Sequence, residues 1–546
     1  MSRLSRHSKK VKENKEFNEQ KVTNFMGGNS YKPNPLETLK IVATSSIFGE
    51  PSYYRTNKDS KRHIPRWYSQ NQADIVDHLL KDIYDSSNTT DDVFTKCIRE
   101  SLDFDFAKTV EFAVALRHEY NMRLNPAVIY IEASISEHRA NFNEQHPGRF
   151  REIGKKIINR PDDMKNMFDY YMYLKGDKKG LPSVVKRVWA SELQNMEAYH
   201  ANKYKSKGLI DLIRISHPKK TKVIDELMST GKVTVSDEET TWEQHRSNGM
   251  KWNELLNTIQ IPHMALLRNL RGIFSEVDDI DICKNTLEKL KNGVKKGRQF
   301  PFRYYSAYKA ISNASAHHKG LIQDALEECI DIAMDNFPKL NGKVMSLCDN
   351  SGSAHGSFTS EFGTVTVSDI ANLSAVMTGY NADEGHVGVF GDTLKTETVS
   401  KRNGILSQHK NINNIGRTVG GGTENGVWLF WDQAIKNKEH WDHVFIYSDM
   451  QAGHGGLYGC NSNDYSNYIH PNGGGWNKYI DVLKLVQDYR RLVNPKVNVY
   501  TVQVAGYDNN VLPQNLYRTA ILSGWTGKEV LYASKMNELW NQIEQQ

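Results

Sequence analysis

The chain has 546 residues, a formal net charge of +6 and five cysteines that lie far apart in the sequence. Cysteines this few predict neither a disulfide framework nor a zinc site, and no apolar run approaches the ~18 residues of a membrane-spanning helix. The first residues are charged and contain no apolar signal segment. These features argue against a secreted or membrane-embedded protein, and we expect a cytoplasmic one.

Residues 1–33 are the first predicted unit, a basic and disordered tail. Basic residues are frequent from Ser2 to Lys10. Such a tail attracts phosphates without sequence preference and in a salt-sensitive way. A solvated tail without a function is equally consistent with this composition.

Residues 34–340 are the second unit, which is predicted to be all-helical. Its segments have apolar residues at helical spacing, and short breakers with proline or glycine separate them. The clearest apolar stripe consists of Leu266, Leu267, Leu270, Ile273 and Phe274. Roughly three hundred residues are too many for one compact helical core. We therefore predict paired helices in an extended or ring-like array of the HEAT type, although no strict sequence period is present.

The helical unit and the tail also carry the positive charge of the chain. Residues 341–546 contain 16 basic and 19 acidic residues, whereas the rest of the chain contains 54 basic and 45 acidic residues. The densest cluster of basic, aromatic and hydrogen-bonding side chains comprises Lys203, Tyr204, Lys205, Lys207, Arg214, His217, Lys219 and Lys220. Basic groups neutralise phosphates, while tyrosine and histidine stack on unpaired bases. This combination predicts an RNA-binding surface. A solvated helix face would have the same charges, and His217 before Pro218 could simply end a helix.

Further candidates for contact with RNA are Arg268 and Arg271, followed by Arg298 and Arg303. Arginine binds phosphate through charged hydrogen bonds, but each of these residues could instead pair with a neighbouring carboxylate. No residue set in the chain matches a catalytic motif, and the glycine run at 420–422 lacks the lysine of a phosphate-binding loop. We therefore expect a binding protein and not an enzyme.

Residues 341–546 are the third unit, in which predicted strands and helices alternate as in a doubly wound α/β fold. The apolar run Val344–Cys348 predicts a buried strand, and the sequence Asp349-Asn350-Ser351-Gly352-Ser353 follows directly. A carboxylate with hydroxyls at alternate positions offers the oxygen ligands that Mg²⁺ prefers. Taken alone, Asp349 could equally cap a helix N-terminus. Beyond this motif, the pattern predicts a last amphipathic helix from Ser534.

The pattern Asp-x-Ser-x-Ser resembles the start of the metal-dependent adhesion site of von Willebrand factor A domains. These domains take a threonine from a second loop and an aspartate from a third, at the carboxyl ends of their strands. The resemblance therefore implies a divalent metal, most simply Mg²⁺, held by Asp349, Ser351, Ser353, Thr423 and Asp449. Glu424 departs from the common pattern, in which many members have aspartate next to the threonine.

Three strings in the helical unit resemble the telomerase–Ro–vault (TROVE) module of the Ro autoantigen family. They are Ile47–Tyr54, Leu212–Pro218 and Met264–Leu270. A helical module of this kind followed by a von Willebrand factor A domain is the Ro architecture, so the resemblance covers nearly the whole chain and includes bacterial Ro-like proteins. It implies a closed ring of helical repeats whose outer face and rim contact RNA through Lys203, Lys205, Lys207, Arg214 and His217.

The resemblance also implies a function in noncoding-RNA quality control or decay. A monomeric ring would bind small noncoding Y-like RNAs on its outside and pass the single-stranded ends of misfolded RNAs through its hole. An exoribonuclease would then be a further partner of this ribonucleoprotein scaffold. The alternative function is a metal-dependent protein-interaction scaffold in which RNA binding is incidental.

Overall fold

The structure is a computed structural model that carries all side chains. It describes residues 15–23, 29–44, 90–120, 122–205, 208–234, 241–297, 299, 301–335, 337–356, 366–421, 426–450, 466–469, 480–504, 510–523 and 528–545. Within these ranges, an all-helical part precedes an α/β part, as the sequence predicts. No helix in the described ranges is both long and apolar enough to cross a membrane.

The helical part begins with α1 and continues to α17, numbered along the described residues. These helices are Pro35–Thr44 (α1), Thr90–Phe104 (α2), Phe106–His118 (α3), Leu124–Ile135 (α4), His138–Gln145 (α5), Arg149–Ile157 (α6), Pro161–Lys175 (α7), Ser183–Leu193 (α8), Ala198–Tyr204 (α9), Leu209–Ser216 (α10), Lys222–Thr230 (α11), Trp242–Ser247 (α12), Trp252–Thr258 (α13), His263–Phe274 (α14), Ile280–Gly297 (α15), Pro301–Ser312 (α16) and Lys319–Met334 (α17).

Two apolar clusters hold these helices together. The first cluster joins α1 to α11, from Leu39 to Val233. The second begins at Trp252 and continues through α17 into one face of the sheet of the α/β part. All five residues of the apolar stripe on α14 are buried in this second cluster, which explains why the spacing of that segment is helical.

A six-stranded sheet forms the centre of the α/β part. Its strands are Leu340–Asp349 (β3), Ala382–Phe390 (β4), Leu394–Thr398 (β5), His443–Ser448 (β6), Asn498–Gln503 (β7) and Thr519–Ser523 (β8), in the spatial order β5-β4-β3-β6-β7-β8. All pairs are parallel except β4 with β5. The parallel strands place the carboxyl ends of β3 and β6 side by side, which is where open sheets of this kind bind ligands.

Helices flank this sheet on both faces, as in a doubly wound fold. They are Gly352–Gly356 (α18), Val367–Tyr380 (α19), Ile405–Gly416 (α20), Gly426–Lys436 (α21), Val482–Leu492 (α22) and Lys528–Gln545 (α23). The predicted start of the last helix at Ser534 is wrong, because α23 begins six residues earlier at Lys528. Buried Glu529 and Val530 lie in its first turn. The predicted fold class, a helical array followed by an α/β domain, is confirmed.

Part of the predicted tail is ordered. Strands Lys21–Thr23 (β1) and Asn29–Tyr31 (β2) pair antiparallel, and the amide of Tyr31 donates to the carbonyl of Asn510 at 2.8 Å. Phe17 is buried in the apolar cluster on the other face of the large sheet. These residues of the predicted tail therefore make backbone pairing and apolar contact with the α/β domain.

Both ends of the helical array contact the α/β domain. At the beginning of the array, the Tyr532 hydroxyl on α23 donates to Glu119 at 2.6 Å, and the rings of Tyr120 and Tyr532 stack. At its end, Tyr305 on α16 donates to Asp369 on α19 at 3.3 Å. The chain therefore makes a closed circuit, in which the α/β domain joins the first helices to the last ones.

Candidate metal centre and nucleic-acid interface

Asp349 lies at the carboxyl end of β3 with its side chain fully buried. One carboxylate oxygen accepts the amide of Ser351 at 2.9 Å, and the other accepts the hydroxyl of Ser448 at 2.6 Å. Burial raises the pKa of the Asp349 carboxyl, while these two donors and the Asp449 amide oppose the rise. All of these donors are neutral, so they leave the negative charge of Asp349 uncompensated.

A second carboxylate lies next to the first. The Ser353 hydroxyl donates to Asp449 at 2.8 Å, and the Ser351 and Ser353 hydroxyl oxygens are 3.1 Å apart. Four of the five predicted metal ligands therefore converge at the adjacent ends of β3 and β6. The fifth, Thr423, lies outside the described residues, but the carbonyl of Gly421 accepts the Gly352 amide at 2.8 Å and so brings the second loop beside the first.

The donor set fits a hard divalent cation. It consists of two buried carboxylates and two hydroxyls, which are oxygen ligands suited to Mg²⁺. In the part of the chain that the structure describes, no group of three or more histidine, cysteine, aspartate or glutamate side chains could hold a metal. A cation bound here would neutralise charge that the protein itself does not neutralise at Asp349.

A polar network that the sequence did not reveal runs from this loop to the helical array. Asn350 donates to Asn372 at 2.7 Å, and Asn372 donates to Asn413 at 2.6 Å. Asn413 donates to Asp369 at 3.1 Å, and Asp369 accepts the hydroxyl of Tyr305 on α16. Four polar residues on α/β elements thus link the metal loop to the last helices of the array. Only the amide-rich composition of 411–414 hints at this in the sequence.

The predicted RNA-binding cluster divides into a paired part and an exposed part. In the paired part, the Lys203 ammonium donates to Glu243 at 2.6 Å and lies over the ring of Tyr199. Lys205 donates to the carbonyl of Gly231 at 2.9 Å. Tyr204 is only 4% exposed and packs in the first apolar cluster, so the structure places its ring in the core and not on a stacking surface.

The exposed part lies at the end of α10. Arg214, His217 and Lys219 are all open to solvent. His217 ends the helix with a positive φ of 52°, and its amide bonds the carbonyl of Ile213. The Arg214 guanidinium is 3.9 Å from Asp211, with both side chains 67% exposed, so this ion pair is weak. Lys207 lies outside the described residues.

A second exposed basic group lies on α14 and α16. Arg268 and Arg271 on α14 and Arg303 on α16 are open to solvent. Among the described residues, none of these three guanidinium groups makes a hydrogen bond or an ion pair, so the alternative of pairing with a carboxylate does not hold there. Arg298 lies outside the described residues.

Arg303 lies close enough to Arg268 for the two positive charges to repel each other. Desolvation by the surrounding protein lowers its pKa, and repulsion from Arg268 lowers it further, although its side chain is exposed. An exposed side chain that is also desolvated must have protein on several sides. Arg268 itself helps to lower the pKa of Glu243, the partner of Lys203. The positive groups of α9, α14 and α16 are therefore electrostatic neighbours.

Comparison with known proteins agrees with this architecture. Residues 231–327, which include α14 to α16, match the family model described as the TROVE domain. The fold is similar to the crystal structure of the Deinococcus radiodurans Ro (RSR) protein, with a TM-score of 0.57 and 10% sequence identity, over 92% of this chain and 99% of that one. A search of curated proteins gave no match.

The predicted resemblance to the Ro family is confirmed by these two comparisons. They differ in extent, since the TROVE match lies within the helical array, whereas the structural similarity covers the array and the α/β domain together. In combination, they show a TROVE segment within the helical array and the fold of a Ro protein over nearly the whole chain.

Proposed function

Because the chain combines a TROVE segment with the fold of a Ro protein, we propose that it is a monomeric ring that binds structured RNAs with single-stranded ends. Small noncoding RNAs of the Y type are its ligands on the outer face, and the ends of misfolded RNAs are its ligands in the concavity. It acts in noncoding-RNA quality control or decay as a scaffold without catalytic activity of its own.

The observation that carries the proposal is the group of exposed arginines within the TROVE segment, for which the described part of the chain provides no ion pair. Surface arginines that have no carboxylate partner retain their full charge for a ligand, and guanidinium groups bind phosphate through charged hydrogen bonds. Repulsion between Arg268 and Arg303 is relieved when an anion lies between them. A phosphodiester backbone provides such anions at regular intervals.

Two basic regions imply two modes of contact. Arg214, His217 and Lys219 lie on a projecting helix end that is open to solvent and suits the outside of a folded RNA. Arg268 and Arg303 lie on α14 and α16 within repulsion of each other, and we propose that this pair contacts an unpaired strand. We expect the first region to determine affinity for the stem and the second to determine affinity for the tail.

The test is a salt titration of binding by RNA-free protein to two RNAs, a stem with a single-stranded 3′ tail and the same stem with a blunt end. Wild-type protein should prefer the tailed RNA. Arg214→Ala/His217→Ala should weaken binding to both RNAs. A matched control is Lys410→Ala/Lys535→Ala, which removes two exposed positive charges from the α/β domain. Equal and tail-independent binding by all three proteins would refute the proposal.

A function in RNA decay requires a nuclease partner, because no residue set in the chain matches a catalytic motif. RNA-loaded protein, immobilised and exposed to cell extract, should retain an exoribonuclease that RNA-free protein does not retain. If neither form retains nuclease activity, this part of the proposal is wrong, while the RNA-binding part still depends on the titration.

The convergence of Asp349, Ser353 and Asp449 favours a second candidate function. A Mg²⁺ ion held by these oxygens would supply an open coordination position for an acidic side chain of a partner protein. Partner binding that requires Mg²⁺ and survives removal of RNA would support this function. It uses the α/β domain, so both functions can exist in one molecule.

A further inference from the structure

A single carboxylate holds the ammonium group of Lys203. Oε2 of Glu243 accepts a hydrogen bond from this ammonium at 2.6 Å and another from the Tyr199 hydroxyl at 2.8 Å. The ammonium also donates to the Tyr199 hydroxyl at 2.7 Å and lies 5.1 Å from the centre of that ring. Burial disfavours the charged form of Lys203, but the bonds to Glu243 and Tyr199 outweigh it and raise the pKa of Lys203. The positive charge of Lys203 is therefore present, and Glu243 cancels it locally.

This ion pair is accessible to a ligand. The side chain of Lys203 is 32% exposed and that of Glu243 is 42% exposed. Water screens a pair as exposed as this one, so the pair contributes little net free energy to the folded state. A phosphate offers the ammonium the same charge-assisted hydrogen bonds that the carboxylate offers. Exchange of the carboxylate for a phosphate therefore costs little.

Glu243 has a second basic neighbour on another helix. Burial favours a higher pKa of the Glu243 carboxyl, but the hydrogen bonds from Lys203 and Tyr199 and the charges of Lys203 and Arg268 lower it. Desolvation and the charge of Arg268 in turn lower the pKa of Arg303. The carboxylate is therefore an electrostatic neighbour both of Lys203 on α9 and of the arginine pair on α14 and α16 that we assign to the RNA tail.

The arginine pair would bring phosphates close to this carboxylate. Arg268 and Arg303 are both exposed and make no ion pair with any described residue, so a polyanion finds them available before it finds Lys203. A phosphate at Arg268 repels the carboxylate of Glu243 and attracts the ammonium of Lys203. Both forces act to separate the pair. Glu243 therefore opposes an RNA at first contact and yields to one whose backbone extends towards α9.

We propose that Glu243 is a displaceable competitor of RNA for Lys203 and thereby determines the specificity of this surface. A phosphate of the bound RNA takes the place of the carboxylate on the ammonium, and Glu243 turns to solvent. Only an RNA that supplies a phosphate at this position recovers the positive charge that the carboxylate cancels. This inference rests on the proposed RNA-binding function and adds to it the residue that limits affinity.

The test is Glu243→Gln in full-length, RNA-free protein, with a salt titration of binding to the stem that carries a single-stranded 3′ tail. Glutamine has the same shape and can still accept from Tyr199. Release of Lys203 should add one phosphate contact, which raises the salt slope by about 0.7 and the affinity by about fourfold near ~0.15 M salt. The matched control is Glu384→Gln on β4, whose carboxylate accepts Lys343 at 3.3 Å and His386 at 2.8 Å. The control should leave slope and affinity nearly unchanged.

Two backgrounds separate the release of Lys203 from a change in net charge. In the Lys203→Ala background, Glu243→Gln should raise the affinity by at most about twofold, because the ammonium that it would release is absent. In the Lys410→Ala background, which removes an exposed positive charge from α20, Glu243→Gln should retain its full gain. The two double variants have the same net charge, so a difference between them measures the contribution of Lys203 at its own position.

Three results would overturn this inference while the proposed function stands. The first is salt-dependent binding of the tailed RNA by the wild type without any gain in Glu243→Gln. The second is an equal gain in the Lys203→Ala background, which would mean that the carboxylate repels RNA directly. The third is an equal gain in Glu384→Gln, which would mean that net charge alone determines affinity. Failure of the wild type to bind the tailed RNA would instead refute the proposed function, and this inference with it.

Discussion

Replacement of Arg268 and Arg303 by alanine tests the proposed contact with a single-stranded RNA tail most directly. Both guanidinium groups are solvent-accessible, and no carboxylate in the described ranges pairs with them, so we assign one phosphate contact to each. Each phosphate contact on a single strand contributes about 0.7 to the slope of log affinity against log salt concentration. The double variant should therefore lower that slope by about 1.4 for the tailed RNA.

This slope also gives the loss of affinity. If the lost contacts are purely electrostatic, the affinities of the variant and the wild type converge near ~1 M salt, and the variant binds roughly tenfold more weakly near ~0.15 M salt. Binding to the blunt RNA should change less, since we propose that these two arginines contact the single-stranded tail and not the stem. The control Lys410→Ala/Lys535→Ala removes the same charge elsewhere and should leave the slope nearly unchanged.

Two outcomes of this salt titration would refute the reasoning. A loss of affinity that is equal at all salt concentrations would mean that the arginines act through the fold and not through phosphate contacts. A similar loss in the control variant would mean that net charge, and not the position of the arginines, determines binding. The assay needs circular dichroism of each variant to establish that α14 and α16 remain folded.

Three further predictions concern the α/β domain. Asp349→Asn should abolish the heat of Mg²⁺ binding in calorimetry and leave RNA affinity unchanged. The control Glu397→Gln, at an exposed position on β5, should alter neither. Loss of RNA affinity with Asp349→Asn would place the metal loop in the RNA site. Asn372→Leu should lower the free energy of unfolding in urea by about 2–4 kcal/mol, because it removes the donor to the side-chain oxygens of Asn350 and Asn413. The exposed Asn437→Ala should cost much less, and similar costs would show that the network is not stabilising. Burial lowers the pKa of His443 to about 4, so the unfolded chain binds more protons than the folded one as the pH falls from about 6.5 towards 4. The free energy of unfolding should therefore fall by about 1 kcal/mol for this group between about pH 6.5 and 5.5. His443→Gln should remove that part of the pH dependence.

The sequence predicted the features that depend on local patterns. The apolar stripe of α14 and the strand before Asp349 are periodic over a few residues, and both occur where the periodicity places them. The convergence of Asp349 with Asp449 could be predicted because parallel strands bring their carboxyl ends to the same edge. The antiparallel strand β5 was not predicted, because its sequence, Leu-Lys-Thr-Glu-Thr, is largely exposed and carries almost no apolar pattern.

Partners that come from distant parts of the chain were beyond the sequence. Lys203 looked like a free basic residue, yet its partner Glu243 lies forty residues later on another helix. Tyr204 is adjacent to it, and the helical turn directs that side chain into the core. Arg303 gave no stronger signal than other arginines, because its proximity to Arg268 and its desolvation exist only in the folded molecule.

The two joints between the array and the α/β domain differ in kind, and this difference predicts where the closed circuit is weakest. At the joint of α16 and α17, one apolar cluster continues from the helices into the sheet, and the buried ring of Tyr305 packs against His409. At the joint of α1 and α3, polar contacts such as the hydrogen bond of Tyr532 with Glu119 lie beside a cleft between α1, β8 and α23. Apolar burial contributes more to the stability of a joint than exposed hydrogen bonds of this kind do.

We therefore expect the joint at α1 to open first. Under native conditions, hydrogen exchange should be faster for the amides of α1 and α23 than for those of α16 and α19, because opening of the more polar joint exposes the parts of α1 and α23 that meet there. Tyr532→Phe should accelerate exchange in α1 without affecting α16, and Tyr305→Phe is the matched variant at the other joint. Faster exchange at α16 than at α1 would mean that the apolar joint is the weaker one, and that polar contacts around a cleft hold this molecule closed.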